Sequence, residues 1–252
     1  MDIREVPRAP FVRHPWERAR FRFFRTVLRE AGVLRAGARM LDVGAGDAWL
    51  AAQLVASGPP EVDATCWDAA YADPAQRARA AAASPALRLV SEQPAGTFDA
   101  LLLLDVLEHV ADDGTFLGAL LRENARPDTA VLVSVPAHPA LWGPHDLALR
   151  HYRRYSASAL AELLAGAGLV RERGGGLFHS LMLPRLLQNA RDRWVGAPQG
   201  SDAPPDGGWR GTALSAHLVE LALRADTAVS RAAARAGVGL PGLSLWALCH
   251  PG

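Results

Sequence analysis

Short hydrophobic runs alternate with amphipathic segments along the first 140 residues of the chain. Mainly apolar runs of four to eight residues, bounded by glycine, proline or charged residues, are typical of strands buried on both faces of a parallel sheet. Five runs meet this description: residues 40–43, 62–67, 87–90, 98–105 and 130–136. The fourth of them, FDALLLLD, has apolar residues facing both sides of its strand.

Segments with helical periodicity lie between these runs and on either side of them. Four helices are predicted at residues 47–57, 74–83, 112–125 and 156–167. Another is indicated near the N-terminus by apolar residues at helical spacing: Trp16, Ala19, Phe23, Val27 and Ala31. Strands that alternate with helices form βαβ units, so the pattern predicts an α/β fold with a doubly wound, mostly parallel sheet.

The last third of the chain extends this pattern with longer helices. We predict a sixth strand at residues 169–173, which runs into three consecutive glycines, and a last strand at residues 243–249. Between them lie predicted helices at residues 181–194 and 212–236. This connection is longer than two neighbouring strands need, which indicates a helical insertion.

A glycine-containing turn, LDVGAGDAW, joins the first strand to the first helix of the sheet. Ligands of doubly wound sheets bind at such turns, beyond the carboxyl ends of the strands. Gly44 and Gly46 allow close approach of the backbone to a ligand. The dinucleotide fingerprint needs another glycine three residues later, but Trp49 occupies that position, and the GK[ST] of a P-loop is also missing.

Two acidic residues flank this turn. Asp42 ends the first strand, where its carboxylate would repel a pyrophosphate and attract a ligand that carries an ammonium and a sulfonium group. Asp68 ends the second strand, about twenty residues after the glycines, where an acid can accept both ribose hydroxyls. The pattern therefore favours a cationic nucleoside over a dinucleotide.

At these residues the sequence resembles the class I S-adenosylmethionine-dependent methyltransferases. The resemblance covers about residues 39–168 and includes LDVGAG, ATCWDAAY, FDALLLLDVLEHV and AVLVSVPA in the family's order. The segment HDLALRHYRRYS resembles one found after the fifth strand in a bacterial and archaeal branch of the family. Ala48 stands where many members have a third glycine, a mild departure because alanine still permits close approach.

The resemblance implies a Rossmann-like methyltransferase fold with seven strands, the last antiparallel to the others. The expected segments are an N-terminal helical lid (residues 1–36), a cofactor-binding α/β core (37–180), a helical cap (181–240) and the last strand of the core (241–252). The implied cofactor is S-adenosyl-L-methionine. The residues expected to contact it are Asp42, Gly44, Gly46, Asp68, Glu92, Asp105 and Leu107.

Methyl transfer from an activated sulfonium depends chiefly on alignment, and a base is needed only when the acceptor must lose a proton. Histidine is the side chain best suited to that task near neutral pH. His109 follows the fourth strand beside the expected methyl group, and His145 and His151 lie in the segment after the fifth strand. We predict these three histidines as candidate catalytic residues.

The segment after the fifth strand should overhang the acceptor. Its candidate substrate-binding residues are Trp142, Asp146, Tyr152 and Arg153. Arg153 or the neighbouring Arg154 could pair with an anionic acceptor. An equally simple interpretation is that these side chains brace the loop against the sheet. Because nothing in the spacing enforces ligand geometry, no metal site is predicted.

Composition narrows the remaining choices. The chain of 252 residues has a formal net charge of +1, which gives no support to a nucleic-acid partner, and it contains no lysine for a Schiff base. Cys66 and Cys249 lack CxxC partners, and neither a signal peptide nor a membrane-spanning run is visible. We therefore expect a cytoplasmic protein. Peripheral membrane contact through the basic N-terminal helix and a homodimer stay open as alternatives.

The sequence as a whole predicts methyl transfer to oxygen, nitrogen or carbon of a small-molecule or lipid-like acceptor. Two alternatives stay open: a non-catalytic protein of the same fold that binds the cofactor as a regulator or assembly partner, and an NAD-dependent oxidoreductase. Trp49 in the turn argues against the second alternative.

Overall fold

A computed structural model describes residues 11–59, 61–195, 209 and 211–252 of the chain. The described part contains one seven-stranded sheet in the order β3-β2-β1-β4-β5-β7-β6. The strands are β1 Arg39–Val43, β2 Asp63–Trp67, β3 Arg88–Val90, β4 Ala100–Leu104, β5 Ala130–Pro136, β6 Leu169–Leu177 and β7 Ser244–Pro251. The first five strands are parallel, and β7 runs antiparallel between β5 and β6. This arrangement confirms the predicted doubly wound, mostly parallel sheet.

Helices cover both faces of the sheet. They are α1 Pro15–Glu30, α2 Trp49–Ser57, α3 Pro74–Ala81, α4 Asp113–Asn124, α5 Pro144–Ala148, α6 Ala157–Gly166, α7 Met182–Val195 and α8 Ala213–Arg235. Each helix was predicted from the sequence except α5, which lies in the segment after β5 that gave no regular pattern. Single turns of 3₁₀ helix follow several strands, including one at Leu107–His109 directly after β4.

The two faces of the sheet are filled by separate sets of side chains. Along β4, Leu102 packs with α1 and α8 on one face, whereas Leu101 and Leu103 pack with α4 and α6 on the other. All three leucines are fully buried. The continuous apolar run in β4 thus reflects a strand that has no solvent-facing side.

The N-terminal helix α1 belongs to the layer that covers the sheet. Phe23 of α1 meets Trp246 of β7 edge to face, with ring centroids 5.0 Å apart. Phe24, Val27 and Leu28 are buried in the same cluster. Residues 1–10 of the predicted lid lie outside the described residues, as do residues 196–208 and 210 of the predicted cap.

The predicted end of the sixth strand was wrong. Strand β6 continues through the three glycines to Leu177, and it pairs with β7 over its length. At Gly176 a Cβ atom would lie 2.4 Å from the backbone nitrogen of Gly242, so only glycine permits this approach of two backbone segments.

Among the described residues, no helix is both long and apolar enough to cross a membrane.

Candidate active site

The carboxyl ends of β1, β2, β4 and β5 open into one cavity of about 840 Å³. Its wall combines the glycine turn, the strand ends, the segment after β5, and residues of α1 and α7. A cavity of this size is within the range of small-molecule sites. It lies where ligands bind in doubly wound sheets.

The glycine turn forms one end of the cavity, called the cofactor end below. Gly44 and Gly46 line it with positive φ angles of 61° and 56°. A Cβ atom on Gly44 would lie 2.9 Å from Cγ2 of Val106. Both glycines avoid the backbone strain that a side chain would bring at these angles, and Gly44 also avoids a clash with its neighbour. Ala48 has a φ of 55°, which alanine adopts with strain that glycine would avoid.

Asp68 lies in the cavity wall as predicted. One carboxylate oxygen accepts a hydrogen bond from the backbone N–H of Gly46, and the other accepts one from Ala70, both at 2.9 Å. These bonds fix the carboxylate beside the glycine turn. Each oxygen keeps a further lone pair for a ligand hydroxyl.

Asp42 is buried at the end of β1 and is not among the residues that line the cavity. Burial raises its pKa from 3.8 to about 7, with a smaller contribution from the charge of Asp68. A buried carboxyl group of this kind takes its charged form more readily when a cation comes close. Its expected role beside the cofactor's amino group stays a prediction.

Asp105 follows β4 with a positive φ of 60° and lines the cavity. Its carboxylate pairs with the guanidinium of Arg20 from α1 and accepts a hydrogen bond from the hydroxyl of Ser134 at 3.2 Å. These two contacts hold a residue that is not glycine in a left-handed conformation. Arg20 thereby joins the N-terminal helix to the centre of the site.

Trp49 stands at the position where a dinucleotide site needs its third glycine, and charged side chains surround it. The Arg13 guanidinium lies 4.4 Å from the centroid of the Trp49 ring and forms an ion pair with Asp47. These groups occupy the start of α2, where a pyrophosphate would otherwise approach the helix N-terminus.

The opposite end of the cavity, called the acceptor end below, gathers the three candidate histidines. His109, His145 and His151 all line it. The rings of His109 and His151 meet edge to face with centroids 4.6 Å apart. The structure thus brings together two histidines that are 42 positions apart in the sequence.

Asp146, which does not line the cavity, orients the ring of His151 through its Nδ1 atom. One oxygen of its buried carboxylate lies 3.0 Å from Nδ1 of His151 and accepts a hydrogen bond from Nε of Arg154 at 2.8 Å. Burial raises the pKa of Asp146, but the bonds from His151 and Arg154 outweigh this effect and lower it to about 2. The charged carboxylate favours a proton on Nδ1 of His151, so Nε2 is left to interact with a ligand.

Two other polar groups at the acceptor end, His145 and Glu108, differ from Asp146 because burial favours their neutral forms. Burial, followed by the charge of Arg185, lowers the pKa of His145 to about 4, so this ring is neutral at physiological pH. Burial also raises the pKa of Glu108 well above its usual range, with the charge of Asp105 as the second cause.

Besides Asp42 and Asp146, five predicted residues do not line the cavity. Glu92 and Tyr152 are exposed, and Trp142 is half-buried outside the lining. Leu107 is fully buried in the core. Arg153 instead pairs with Asp113, 3.0 Å away, which fits the bracing interpretation. Contacts of these five residues with a ligand stay predictions, and Asp146 likewise acts through His151 and Arg154 without lining the cavity.

The charged side chains of the cavity wall also include Glu17, Arg20, Glu108 and Arg185, which were not predicted, and Arg154, which was considered only as an alternative to Arg153. Glu108 stands next to His109 in the LEHV motif, so its position was the one signal available in the sequence. Arg20 and Arg185 come from helices whose placement over the sheet is decided by packing, which no local pattern reveals.

The cofactor end fits S-adenosylmethionine. The glycine turn exposes backbone without a side chain at the cavity wall, where a Cβ atom at Gly44 would meet Val106, and Asp68 offers carboxylate oxygens beside it. The buried carboxyl group of Asp42 would ionise more readily beside a cationic ligand, and the carboxylate of Asp105, which is paired with Arg20, lies in the cavity wall.

A family model described as a methyltransferase domain matches residues 16–172, more than half of the chain. No curated protein matches the sequence. Among solved structures, a sarcosine dimethylglycine methyltransferase candidate from Galdieria sulphuraria aligns with a TM-score of 0.56 and 17% identity, over 92% of this chain and 84% of the neighbour.

Two further structures share the fold at low identity. The [4+2]-cyclase SpnF aligns with a TM-score of 0.54 and 18% identity, over 98% of this chain and 88% of its own. A methyltransferase candidate from Haloferax volcanii, solved with the Trm112 methyltransferase activator, gives a TM-score of 0.53 and 13% identity, over 93% and 92%. At these identities the structural likeness establishes the fold alone. With the family match, the chain belongs to the class I S-adenosylmethionine-dependent methyltransferases, and its cofactor is S-adenosylmethionine.

Proposed function

We propose that this protein transfers a methyl group to an oxygen or nitrogen atom of a small-molecule acceptor. The observation that carries the proposal is the continuity of the cavity. Gly44 and Asp68 line the same space as His109 and His151, so a bound cofactor and an acceptor would share one chamber. Holding both reactants in one chamber supplies much of the acceleration in a displacement reaction.

At the cofactor end, Gly44, Gly46 and Asp68 would hold the cofactor, with Asp42 and Asp105 as the nearby acids. When bound, S-adenosylmethionine supplies a methyl group already activated by its positive sulfur. Arg20 keeps the Asp105 carboxylate in place by pairing with it from α1. His14 at the N-terminal end of α1, Trp16 of α1 and Arg185 of α7 complete the wall, in keeping with the proposed lid and cap segments.

At the acceptor end, His151 would take the proton that an acceptor hydroxyl or ammonium loses. Asp146 keeps the Nδ1 proton of His151 in place and stabilises the imidazolium that forms, while Nε2 receives the proton. Because His145 stays neutral, it would contact the acceptor without adding positive charge. The apolar side chains of Phe116 and Leu149 beside these groups suit an acceptor with an apolar body.

The proposal is tested by methyl transfer from labelled S-adenosylmethionine to a panel of phenolic, carboxylic and amine metabolites, with calorimetry for cofactor binding. We expect His151→Gln to lower kcat about 100-fold, the usual scale for a lost general base, with little change in cofactor affinity. His250→Gln is the matched control, because His250 lies on β7 and pairs with Glu172.

Two results would overturn the proposal. Failure to bind S-adenosylmethionine would remove its basis. Cofactor binding without methyl release to any panel member or to a cell extract would favour the non-catalytic alternative.

A further inference from the structure

Three potential metal ligands converge at the acceptor end of the cavity. A carboxylate oxygen of Glu108 and one ring nitrogen each of His109 and His151 lie within 4.8 Å of one another. Glu108 and His109 belong to the 3₁₀ turn after β4, and His151 follows α5. The backbone N–H of Tyr152 donates to the carbonyl oxygen of Glu108 at 2.7 Å, which joins the two segments beside the cluster.

Glu108 is the member of this cluster that is buried without a hydrogen-bond partner for one of its carboxylate oxygens. Its side chain lines the cavity although the residue is only 1% exposed, and Oε2 has no hydrogen-bond partner among the described residues. A buried carboxylate oxygen without a partner is costly, and proteins usually pair such a group with a cation or a hydrogen-bond donor. The ring nitrogens of two imidazoles lie within 4.8 Å of this carboxylate.

His151 is oriented as metal-binding histidines commonly are. Its Nδ1 atom lies 3.0 Å from the carboxylate of Asp146, which is itself held by Arg154. A carboxylate behind one ring nitrogen fixes the tautomer and directs the lone pair of the other nitrogen towards a cation. The edge-to-face contact with His109 places the second imidazole beside it.

We propose that Glu108, His109 and His151 form a binding site for one divalent transition-metal cation. Two imidazole nitrogens and one carboxylate oxygen suit Zn²⁺, Fe²⁺ or Mn²⁺ better than Mg²⁺ or Ca²⁺, which prefer oxygen ligands. Ligand atoms about 2.1 Å from a tetrahedral metal lie about 3.4 Å apart, so atoms now within 4.8 Å of one another would approach by up to about 1.4 Å, a change within reach of side-chain rotation. The coordination positions that the protein leaves free would face the cavity.

Such a cation would bind whether or not the chain transfers methyl groups, so the site does not depend on the proposed function. Where methyl transfer occurs, the cation would bind the acceptor oxygen and lower the pKa of its hydroxyl group, so that the proton passes to solvent water before the methyl group is transferred. In that state Nε2 of His151 is a ligand, and the activating role assigned above to the imidazole is taken by the metal.

The test uses the full chain, freed of metal with a chelator and titrated with Zn²⁺ by calorimetry. We expect one Zn²⁺ per chain at this site, and at least tenfold weaker binding in Glu108→Gln and in His151→Gln. Titration with Co²⁺ should give visible absorption bands in the wild type that both variants lose. His250→Gln removes an imidazole outside the cavity and should bind Zn²⁺ like the wild type.

Glu108→Gln also separates the proposal from a simpler explanation. Glutamine matches the size and hydrogen bonding of a neutral glutamic acid, so a buried neutral Glu108 predicts unchanged Zn²⁺ affinity in this variant. That result, or a wild type that binds Zn²⁺ no more tightly than His151→Gln, would overturn the site. If Glu108→Gln does not fold, as judged by circular dichroism, His109→Gln replaces it under the same criterion. A wild type that binds Zn²⁺ at this site but transfers no methyl group to any tested acceptor would contradict the proposed function and leave the metal site standing.

Discussion

The two ends of the cavity are built in different ways. At the cofactor end, Gly44, Gly46 and Asp68 lie at the tips of two adjacent parallel strands, and Asp68 contacts backbone N–H groups of its own turn and of the glycine turn. At the acceptor end, His109 meets His151 from a distant segment. The cofactor end depends on backbone conformation, and the acceptor end depends on contacts between side chains.

The comparison teaches that burial acts on charge differently at each end. Burial raises the pKa of Asp42 to about 7, so this group is partly protonated near neutral pH, whereas Asp146 is kept charged by His151 and Arg154. The first arrangement costs stability wherever Asp42 is charged, and the second is satisfied within the protein. The four predictions below test this contrast, beginning with the largest expected effect.

Asp42→Asn should stabilise the protein at pH 8 by up to about 4 kcal/mol, since each pKa unit corresponds to about 1.4 kcal/mol. The folded state, where the pKa of Asp42 is about 7, binds more protons than the unfolded state between pH 4 and 7. Wild-type stability therefore falls as the pH rises through that window, and the variant lacks this loss. Urea unfolding at pH 4.5 and pH 8 measures it. A gain of equal size at both values would contradict the prediction.

Asp68→Asn should weaken binding of S-adenosylmethionine about 100-fold, because hydrogen bonds to a charged group contribute about 1.5–3 kcal/mol each. Calorimetry gives the affinity. Asp73→Asn is the control, since Asp73 accepts the same type of bond from Ala75 at 2.8 Å but lies exposed outside the cavity. Equal losses in both variants would mean that Asp68 acts only as a cap.

Arg20→Met should lower the free energy of unfolding by about 2 kcal/mol, because it leaves the carboxylate of Asp105 without its ion pair. Asp105 is 29% exposed, so water reduces the cost below that of a fully buried pair. In a double-mutant cycle measured by urea unfolding, Arg20→Met with Asp105→Asn should recover at least half of the loss. Simple additivity would show that the pair does not join α1 to the site.

His145→Gln should have the smallest effect, a relative gain of about 1 kcal/mol at pH 5.5. The pKa of His145 is about 4 in the folded protein, below its value in the unfolded chain. Stability linked to this ring is therefore lost as the pH falls below about 6.5, and the variant escapes that loss. Urea unfolding at pH 5.5 and 7.5 measures the difference. An NMR titration that places the ring pKa near 6.5 would contradict the prediction.

The fold could be predicted largely because its signals are local. The apolar run of β4 and the glycine turn after β1 are each complete within a few residues, and the structure confirms both. The end of β6 could not be predicted in this way. Its three glycines resemble a turn in the sequence, and only contact with Gly242 on the neighbouring segment explains why they extend a strand.

The residues of the candidate site likewise fall into those that local sequence predicts and those that depend on tertiary contacts. Asp68 and the two glycines follow from the order of strands, because the carboxyl ends of adjacent parallel strands meet at one edge of the sheet. Arg153 was predicted in preference to Arg154, but which of two successive arginines turns inward depends on partners 40 and 8 positions away.

The sequence by itself determined the alternation of strands and helices, the glycine turn after the first strand and the acids beside it, since these depend on hydrophobic period and on residues close together in the chain. Tertiary structure alone decided that Glu108, His109 and His151 share one corner of the cavity and that Arg20 reaches Asp105. The physical reason is that these contacts join segments whose relative positions are set by packing of the whole core, and no short stretch of sequence carries that information.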